Sequence, residues 1–263
     1  MILQEIAEDT EKRIDGLKRS GYYSEIHEAL PSLSVQGDFP FEKALAEPGL
    51  SIIGELKKAS PSRGLICSDF DYESIAAEYE KSGVSAVSCL TEPRWFQGSP
   101  EYLRRTAQAV SLPVLRKDFI IDPCQIEEAA VLGASAVLLI CALLTDGDLK
   151  AFMKFSDSLG LSVLTEVHDE DEMARALGCG ARVIGVNNRN LRDFTVDLST
   201  AERLISRLPE QITAVAESGI GSGEDAARMK QAGADAVLVG ESLMRCSSRP
   251  LFIQELKGTY GQN

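Results

Sequence analysis

Two lysines and three glutamates of this chain stand where charge is costly, at the ends of short apolar runs. Glu55 and Lys57 close SIIGELK, Lys117 closes PVLRK, Glu166 lies in SVLTEV, and Glu217, followed by Ser218, closes ITAVAES. If these runs are strands, alternation puts Glu55 with Lys57, Leu115 with Lys117, Leu164 with Glu166, and Val215 with Glu217, each pair on one face. One such residue alone reads as a solvated strand-end charge or a structural ion pair. Five of them converging on a partly desolvated cavity carry a large desolvation cost unless paired, and clusters of that kind are where shifted ionisation and acid/base roles are found. Their chemistry would be proton delivery from an ammonium to a developing oxyanion, with carboxylates accepting protons or balancing a transient cation.

A second set of residues has the chemistry of anion binding. ESGIGSGED follows the run that ends in Glu217, and VGESLMR contains the end of the next run. Small residues after the last two strands of a barrel, each opening a helix, form a phosphate cradle, so backbone amides at Gly219, Gly240 and Glu241, with the Ser218 hydroxyl, are the expected phosphate contacts. Either loop alone reads as ordinary turn glycine. An aromatic set completes the picture. Trp95 and Phe96 sit in TEPRWFQGS, and Phe119 follows Lys117 by two residues, placed to hold a flat ring beside the charges. The two histidines are His27 and His168. His168 has proton-carrier chemistry, but the lysine and glutamate set already covers acid and base, so it is expected to be a helix-start histidine. Met153, Met173, Met229 and Met244 read as packing.

These side chains need a scaffold that gathers strand ends. From residue 51 onward, apolar runs alternate with helix-period segments: SIIGELK and Asp71 to Lys81, VSAVSCL and Tyr102 to Ala109, PVLRK and Pro123 to Leu132, SAVLLI and Asp146 to Leu159. The alternation continues through SVLTEV and Glu170 to Leu177, RVIGVN and Leu198 to Ile205, ITAVAES and Glu224 to Gln231, and DAVLVG and Leu251 to Leu256. Eight strand-helix units predict a (β/α)8 TIM barrel, whose catalytic face is formed by the C-terminal strand ends. An open doubly wound sheet also alternates strand and helix, but the even eightfold count favours closure. A weak repeat supports the count: Gly83, Gly133, Gly180 and Gly233 each precede an apolar strand and read as helix caps. Residues 1–50 break the rhythm and are expected to be an N-terminal helical extension to a single barrel domain over 51–258. Ile2, Ile6, and Ile14 or Leu17 mark an amphipathic first helix. PSLSVQGDFP reads as a loop before a short helix at Phe41 to Leu45. The expected role of the extension is to cap one end of the barrel, with a lid over the substrate as the alternative.

Composition narrows the function. With 263 residues and 44% hydrophobic content the chain can bury one large core. Its formal net charge of -13 would repel phosphodiester backbones and anionic lipid, so neither nucleic acid nor membrane is an expected partner. Six cysteines without a C-x-x-C pair imply neither disulfides nor zinc, and the N-terminus lacks the apolar core of a signal peptide, so a cytoplasmic location is expected.

Taken in order, IIGELKKASPSRG (52–64), LTE-x-x-x-F-x-G (90–98), PVLRKDFI (113–120), LTEVHDE (164–170), IGVNNRNL (184–191), VAESGI (215–220) and VGESLMR (239–245) resemble the indole-3-glycerol-phosphate synthases of tryptophan biosynthesis. The resemblance spans about residues 50 to 246, and the helical extension is also typical of that family. It implies closure of the indole ring of 1-(2-carboxyphenylamino)-1-deoxyribulose 5-phosphate with loss of carbon dioxide and water, by a carboxy-lyase that uses no cofactor or metal. By position it implies that Lys117 is the general acid at the ketone oxygen and that Glu166 aids dehydration and proton removal. Lys57 would hold the ribulose phosphate and serve as an alternative donor. Glu55 and Glu217 would stabilise positive charge and orient the lysines. Ser60, Asn187 and Arg189 would contact substrate, Arg189 at the carboxylate, and Leu138, Phe96 and Phe119 would line the ring pocket. Glu241 stands where some relatives carry Ser, so its charge must turn away from a phosphate held by its amide. The rival readings are a sugar-phosphate isomerase barrel, which would be expected to carry Asp or Cys at its strand ends, and a catalytically silent phosphate-binding barrel. Whether the protein is a monomer or a weak homo-oligomer, and whether it associates with other enzymes of the pathway, stay open at this stage.

Overall fold

The computed structural model describes residues 2–32, 37–191 and 193–258. Eight apolar runs form strands, each too hydrophobic on both faces to tolerate solvent and so covered inside and out. They are β1 (Ser51–Leu56), β2 (Ala86–Leu90), β3 (Val114–Lys117), β4 (Ala136–Ile140), β5 (Ser162–Val167), β6 (Val183–Asn187), β7 (Thr213–Glu217) and β8 (Ala236–Val239). All pair in parallel with their neighbours in sequence, and β8 closes on β1 with Ser51 opposite Ala236, giving a closed barrel. The doubly wound alternative is thereby excluded.

Alternation along the strands divides the core in two. One face of each strand supplies the barrel interior, with Ile53, Leu115, Leu164 and Val215 buried there. The other face, with Ile52, Val87, Val137 and Ile184, packs against the surrounding helices. Glu55, Lys117, Glu166 and Glu217 fall in step with the interior set, two residues beyond its apolar members.

The covering helices are α4 (Tyr72–Lys81), α5 (Pro100–Ala109), α6 (Pro123–Val131), α7 (Asp146–Ser158), α8 (Glu170–Cys179), α9 (Ser199–Ile205) and α10 (Gly223–Gln231), with a five-residue turn of helix (Glu241–Arg245) and a final helix (Arg249–Leu256) after β8. Their starts fall slightly earlier than periodicity alone predicts where Pro100 and Pro250 occupy the first helical turn, since proline lacks only an amide that has no partner there. The repeat glycines Gly83, Gly133, Gly180 and Gly233 all have positive φ at the helix ends, as expected. After β1 the chain folds a small antiparallel ribbon, Ala59–Ser60 with Gly64–Leu65, which periodicity did not reveal.

The extension contributes α1 (Ile2–Arg19), α2 (Tyr22–Ala29), a short 3-10 turn (Leu30–Ser32) and α3 (Pro40–Leu45). Residues 33–36 of the expected loop lie outside the described residues. The expectation that the extension caps one end needs correction, because it serves both ends. Phe41 and Leu45 of α3, each fully buried, plug the N-terminal floor beside Ile53, Ala136 and Val183. Burying side chains of this size contributes about 1.5–3 kcal/mol each. At the opposite end, Ile2, Leu3 and Ile6 of α1 line the mouth. Polar ties pin α1 there: Arg13 pairs with Asp118 at 3.0 Å, and Asp9 accepts from the Trp95 indole at 3.0 Å. Among the described residues no helix is long and apolar enough to cross a membrane, and all six cysteines are free.

Candidate active site

A cavity of about 420 Å³ opens at the C-terminal mouth of the barrel. Apart from Trp95, the site residues expected from the sequence line it, from the charged set of β1, β3, β5 and β7 to the glycines after β7 and β8.

At its base the Lys117 ammonium lies 2.7 Å from Glu217 Oε2 and 3.2 Å from Glu166 Oε2, and Lys57 pairs with Glu55. Close approach of backbone makes room for this cluster. A methyl group at Gly185 on β6 would overlap the Glu217 carboxylate, and one at Gly240 would overlap that of Glu55, so a side chain at either position would displace a carboxylate of the cluster. Burial would push the Lys117 ammonium down, but the Glu217 and Glu166 charges outweigh it and hold its value above the ordinary lysine range. For Glu217, burial, reinforced by Glu166 and Glu55, prevails over the attraction of Lys117, and its value is pushed up to about 7. Glu166 has the opposite balance. Burial raises it, yet Lys117, then His168 and a hydrogen bond from Asn187, bring it below the usual carboxylate value. Two carboxylates with diverging ionisation flank one ammonium, the arrangement that separates acid from base roles. Glu217 Oε1 is buried without a hydrogen-bond partner in the structure, which is expensive unless function requires it.

The two ends of the cavity differ in chemistry. On one side the rings of Phe96 and Phe119 stand 5.9 Å apart at 36°, with Leu138 and the α1 residues nearby. On the other, Ser218 and Gly219, at φ 65° and 85°, turn sharply beside Gly240 and Glu241. Ser242 Oγ donates to the Ile220 carbonyl at 2.8 Å and ties these two loops together. The Glu241 carboxylate pairs with Arg63 at 3.1 Å and Arg245 at 3.4 Å. Ser60, Asn187 and Arg189 line the walls, and the Asn187 side chain accepts from the Arg189 amide at 3.0 Å.

One expectation is corrected. Trp95 does not join Phe96 and Phe119: it faces α1, donating to Asp9 and lying under the Arg94 guanidinium. His168 stands just before α8, as expected, and its Nε2 lies 3.4 Å from Glu166 Oε1. Supporting residues were also missed. Glu92 accepts from the amides of Arg94, Trp95 and Phe96 at 2.6–3.0 Å and so shapes the loop that carries Phe96. Asp118, fully buried, joins Arg116, Thr91 and Arg13 beneath Phe119. Both are carboxylates inside recognisable motifs, and their burial, which periodicity does not report, is the missing signal.

An ammonium held between carboxylates over a packed barrel core, in a cavity lined also by aromatic rings and by the glycine loops after the last two strands, has the make-up of an acid/base enzyme of the (β/α)8 class. Residues 3–256 match the family model described as indole-3-glycerol phosphate synthase, and the chain belongs to that family. It is 47% identical over 259 residues to the indole-3-glycerol phosphate synthase of Ruminiclostridium cellulolyticum, covering 98% of this chain and 100% of that one. The enzyme of the same name from Acetivibrio thermocellus is 50% identical over 218 residues, 82% of this chain and 84% of its own. Among solved structures, thiamine phosphate pyrophosphorylase from Pyrococcus furiosus superposes with a TM-score of 0.60 at 16% identity, covering 80% of this chain and 95% of that chain, a likeness of fold alone.

Proposed function

We propose that this chain closes the indole ring of 1-(2-carboxyphenylamino)-1-deoxyribulose 5-phosphate to give indole-3-glycerol phosphate, as a cytoplasmic carboxy-lyase. The observation that carries this reading is the Lys117 ammonium clamped between Glu166 and Glu217 in a cavity lined also by Phe96, Phe119 and the glycine loops after β7 and β8. In this assignment the phosphate sits at the amides of Gly219, Gly240 and Glu241 with the Ser218 hydroxyl, and Lys57 approaches it. The aryl ring packs on Phe96, Phe119 and Leu138, and Arg189 takes its carboxylate, a charge-assisted contact. Ser60 and Asn187 hold the remaining polar groups.

The steps follow from that placement. The ring carbon bearing the carboxylate attacks the ketone carbon, and Lys117 Nζ gives its proton to the ketone oxygen. The resulting alkoxide is a stronger base than a lysine amine, so an ammonium held firmly by two carboxylates still delivers. The bond to the carboxylate then breaks, its electron pair restores the aromatic ring, and carbon dioxide leaves. The hydroxyl departs as water with a second proton, given by Lys57 or by Lys117 once reprotonated, and Glu166 removes the proton from the carbon beside nitrogen. Lys57 is placed as an alternative donor, while Glu55 and Glu217 orient the lysines and balance the transient iminium charge.

The test is indole-fluorescence turnover of this substrate by wild type and Lys117→Ala, with binding measured separately. Turnover falling by about 100- to 10,000-fold while ligand still binds is the expected result. A wild type that binds the substrate and never turns it over would leave the silent phosphate-binding barrel as the reading. A sugar-phosphate isomerase is disfavoured by strand ends that carry Lys and Glu in place of Asp or Cys.

A further inference from the structure

Glu166 is gripped from two sides. One oxygen, Oε2, faces Lys117, and the other, Oε1, faces His168 Nε2 at 3.4 Å. The imidazole is in turn fixed by α8: its Nδ1 lies 3.1 Å from Glu172 Oε2, the same oxygen that accepts the His168 backbone amide at 2.8 Å. Glu172 is itself set by the first turn of α8, where its amide donates to the Asp169 side chain at 2.9 Å. An imidazole ring lodged between two carboxylates is short of protons if neutral, because one of its nitrogens then turns a lone pair toward an acceptor. Protonated, it donates from Nδ1 to Glu172 and sets its positive charge 3.4 Å from Glu166 Oε1, where Nε2 is buried without a hydrogen bond of its own.

We propose that His168 is a positioning residue for ring closure: as an imidazolium bridging Glu172 and Glu166, it fixes the plane of the Glu166 carboxylate and keeps that group ionised and able to accept the substrate proton. The proposal rests on the base role assigned to Glu166 above. The surroundings support it. Facing the ring are Glu166 from β5, Glu172 from α8 and, farther off, Glu217 from β7, while Lys117 holds the opposite oxygen of Glu166. Across the adjoining space stand Asp169, Asp197 and Arg189. Burial would depress the imidazole, but the hydrogen bond to Glu172 and the Glu166 charge outweigh it and raise its value above that of a free histidine. His168 also borders a second cavity of about 590 Å³, which shares Asn187 and Arg189 with the first, whereas Glu166 lines only the reaction cavity. The imidazolium is therefore outside the substrate's space and acts through Glu166.

The sign of the pH dependence follows. The imidazolium is complete at low pH and is lost as pH rises through the raised His168 value, so Glu166 loses its second anchor on the alkaline side. His168→Leu is expected to lower kcat by about 10- to 100-fold, the scale of a catalytic group displaced by roughly 1 Å, with KM within about twofold. His168→Gln, whose amide can donate to one carboxylate at any pH, is expected to recover most of that loss and to lack the alkaline fall that His168 imposes. A direct readout accompanies the kinetics. The chain has two histidines, His27 and His168, so NMR titration resolves each ring, and Glu166→Gln should return the His168 value toward that of a free imidazole. A His168→Leu enzyme with wild-type kcat, or a His168 titration unmoved by Glu166→Gln, overturns the proposal. Wild-type turnover measured alongside separates that failure from failure of the assigned reaction.

Discussion

Replacing Glu217 by glutamine should make the protein more stable and less active, and the structure sets the size of the gain. The Glu217 carboxyl is pushed up to about 7 from an ordinary 4.5, chiefly by burial and by the like charges of Glu166 and Glu55. A group raised on folding contributes stability that is fully present below its unfolded value and is lost as pH rises through its folded value. The wild type therefore gives up about 3 kcal/mol between pH 4.5 and somewhat above 7, at about 1.4 kcal/mol per tenfold change in proton activity. Glutamine keeps the shape of the neutral acid and carries no charge. Relative to wild type, Glu217→Gln should gain nothing near pH 4.5 and about 3 kcal/mol at pH 8, a rise in Tm of roughly 6–12 °C for a chain of this size. Scanning calorimetry of both proteins across that range measures the difference directly, and turnover should fall because Lys117 loses a carboxylate 2.7 Å away. A difference that does not change with pH, or a variant less stable at pH 8, would refute the reasoning. The Lys117–Glu217 pair would then be a net source of stability, not a cost retained for chemistry.

Other sites give sharper local outcomes. Gly240→Ala places a methyl group against the Glu55 carboxylate, and kcat/KM should fall by about 100-fold as the Glu55–Lys57 pair shifts by roughly 1 Å. Asp118→Ala leaves the buried Arg116 and the partly buried Arg13 without their shared partner; urea unfolding should show a loss of about 3 kcal/mol, the scale for breaking a buried pair. Arg13→Met removes a tie that holds α1 over the mouth, and the expected result in steady-state kinetics is a KM raised several-fold at nearly constant kcat.

The sequence carried the barrel because parallel strands buried on both faces leave an unmistakable alternation of apolar runs with helices. It carried the charged cluster because two-residue alternation links Glu166 to Leu164 and Glu217 to Val215, and the structure buries both partners inward. What it did not carry depends on directions that spacing cannot report. Trp95 and Phe96 are adjacent, yet one meets α1 and the other the cavity. His168 follows a strand by one residue, and only the turn into α8 decides that its ring lies along Glu166. The extension reads as amphipathic helices, but an apolar stripe does not say which end of a barrel it will cover, and here α3 and α1 cover opposite ends.

That division has a consequence for how the chain is made. Phe41 and Leu45 leave the ribosome well before β8, and the wall around them is complete only when that strand, beginning at Ala236, pairs with β1. At about 5–20 residues per second the gap amounts to roughly ten to forty seconds of synthesis. Through that interval the stopper exists without its bottle, and two of the most deeply buried side chains of the finished protein stand exposed to the crowd.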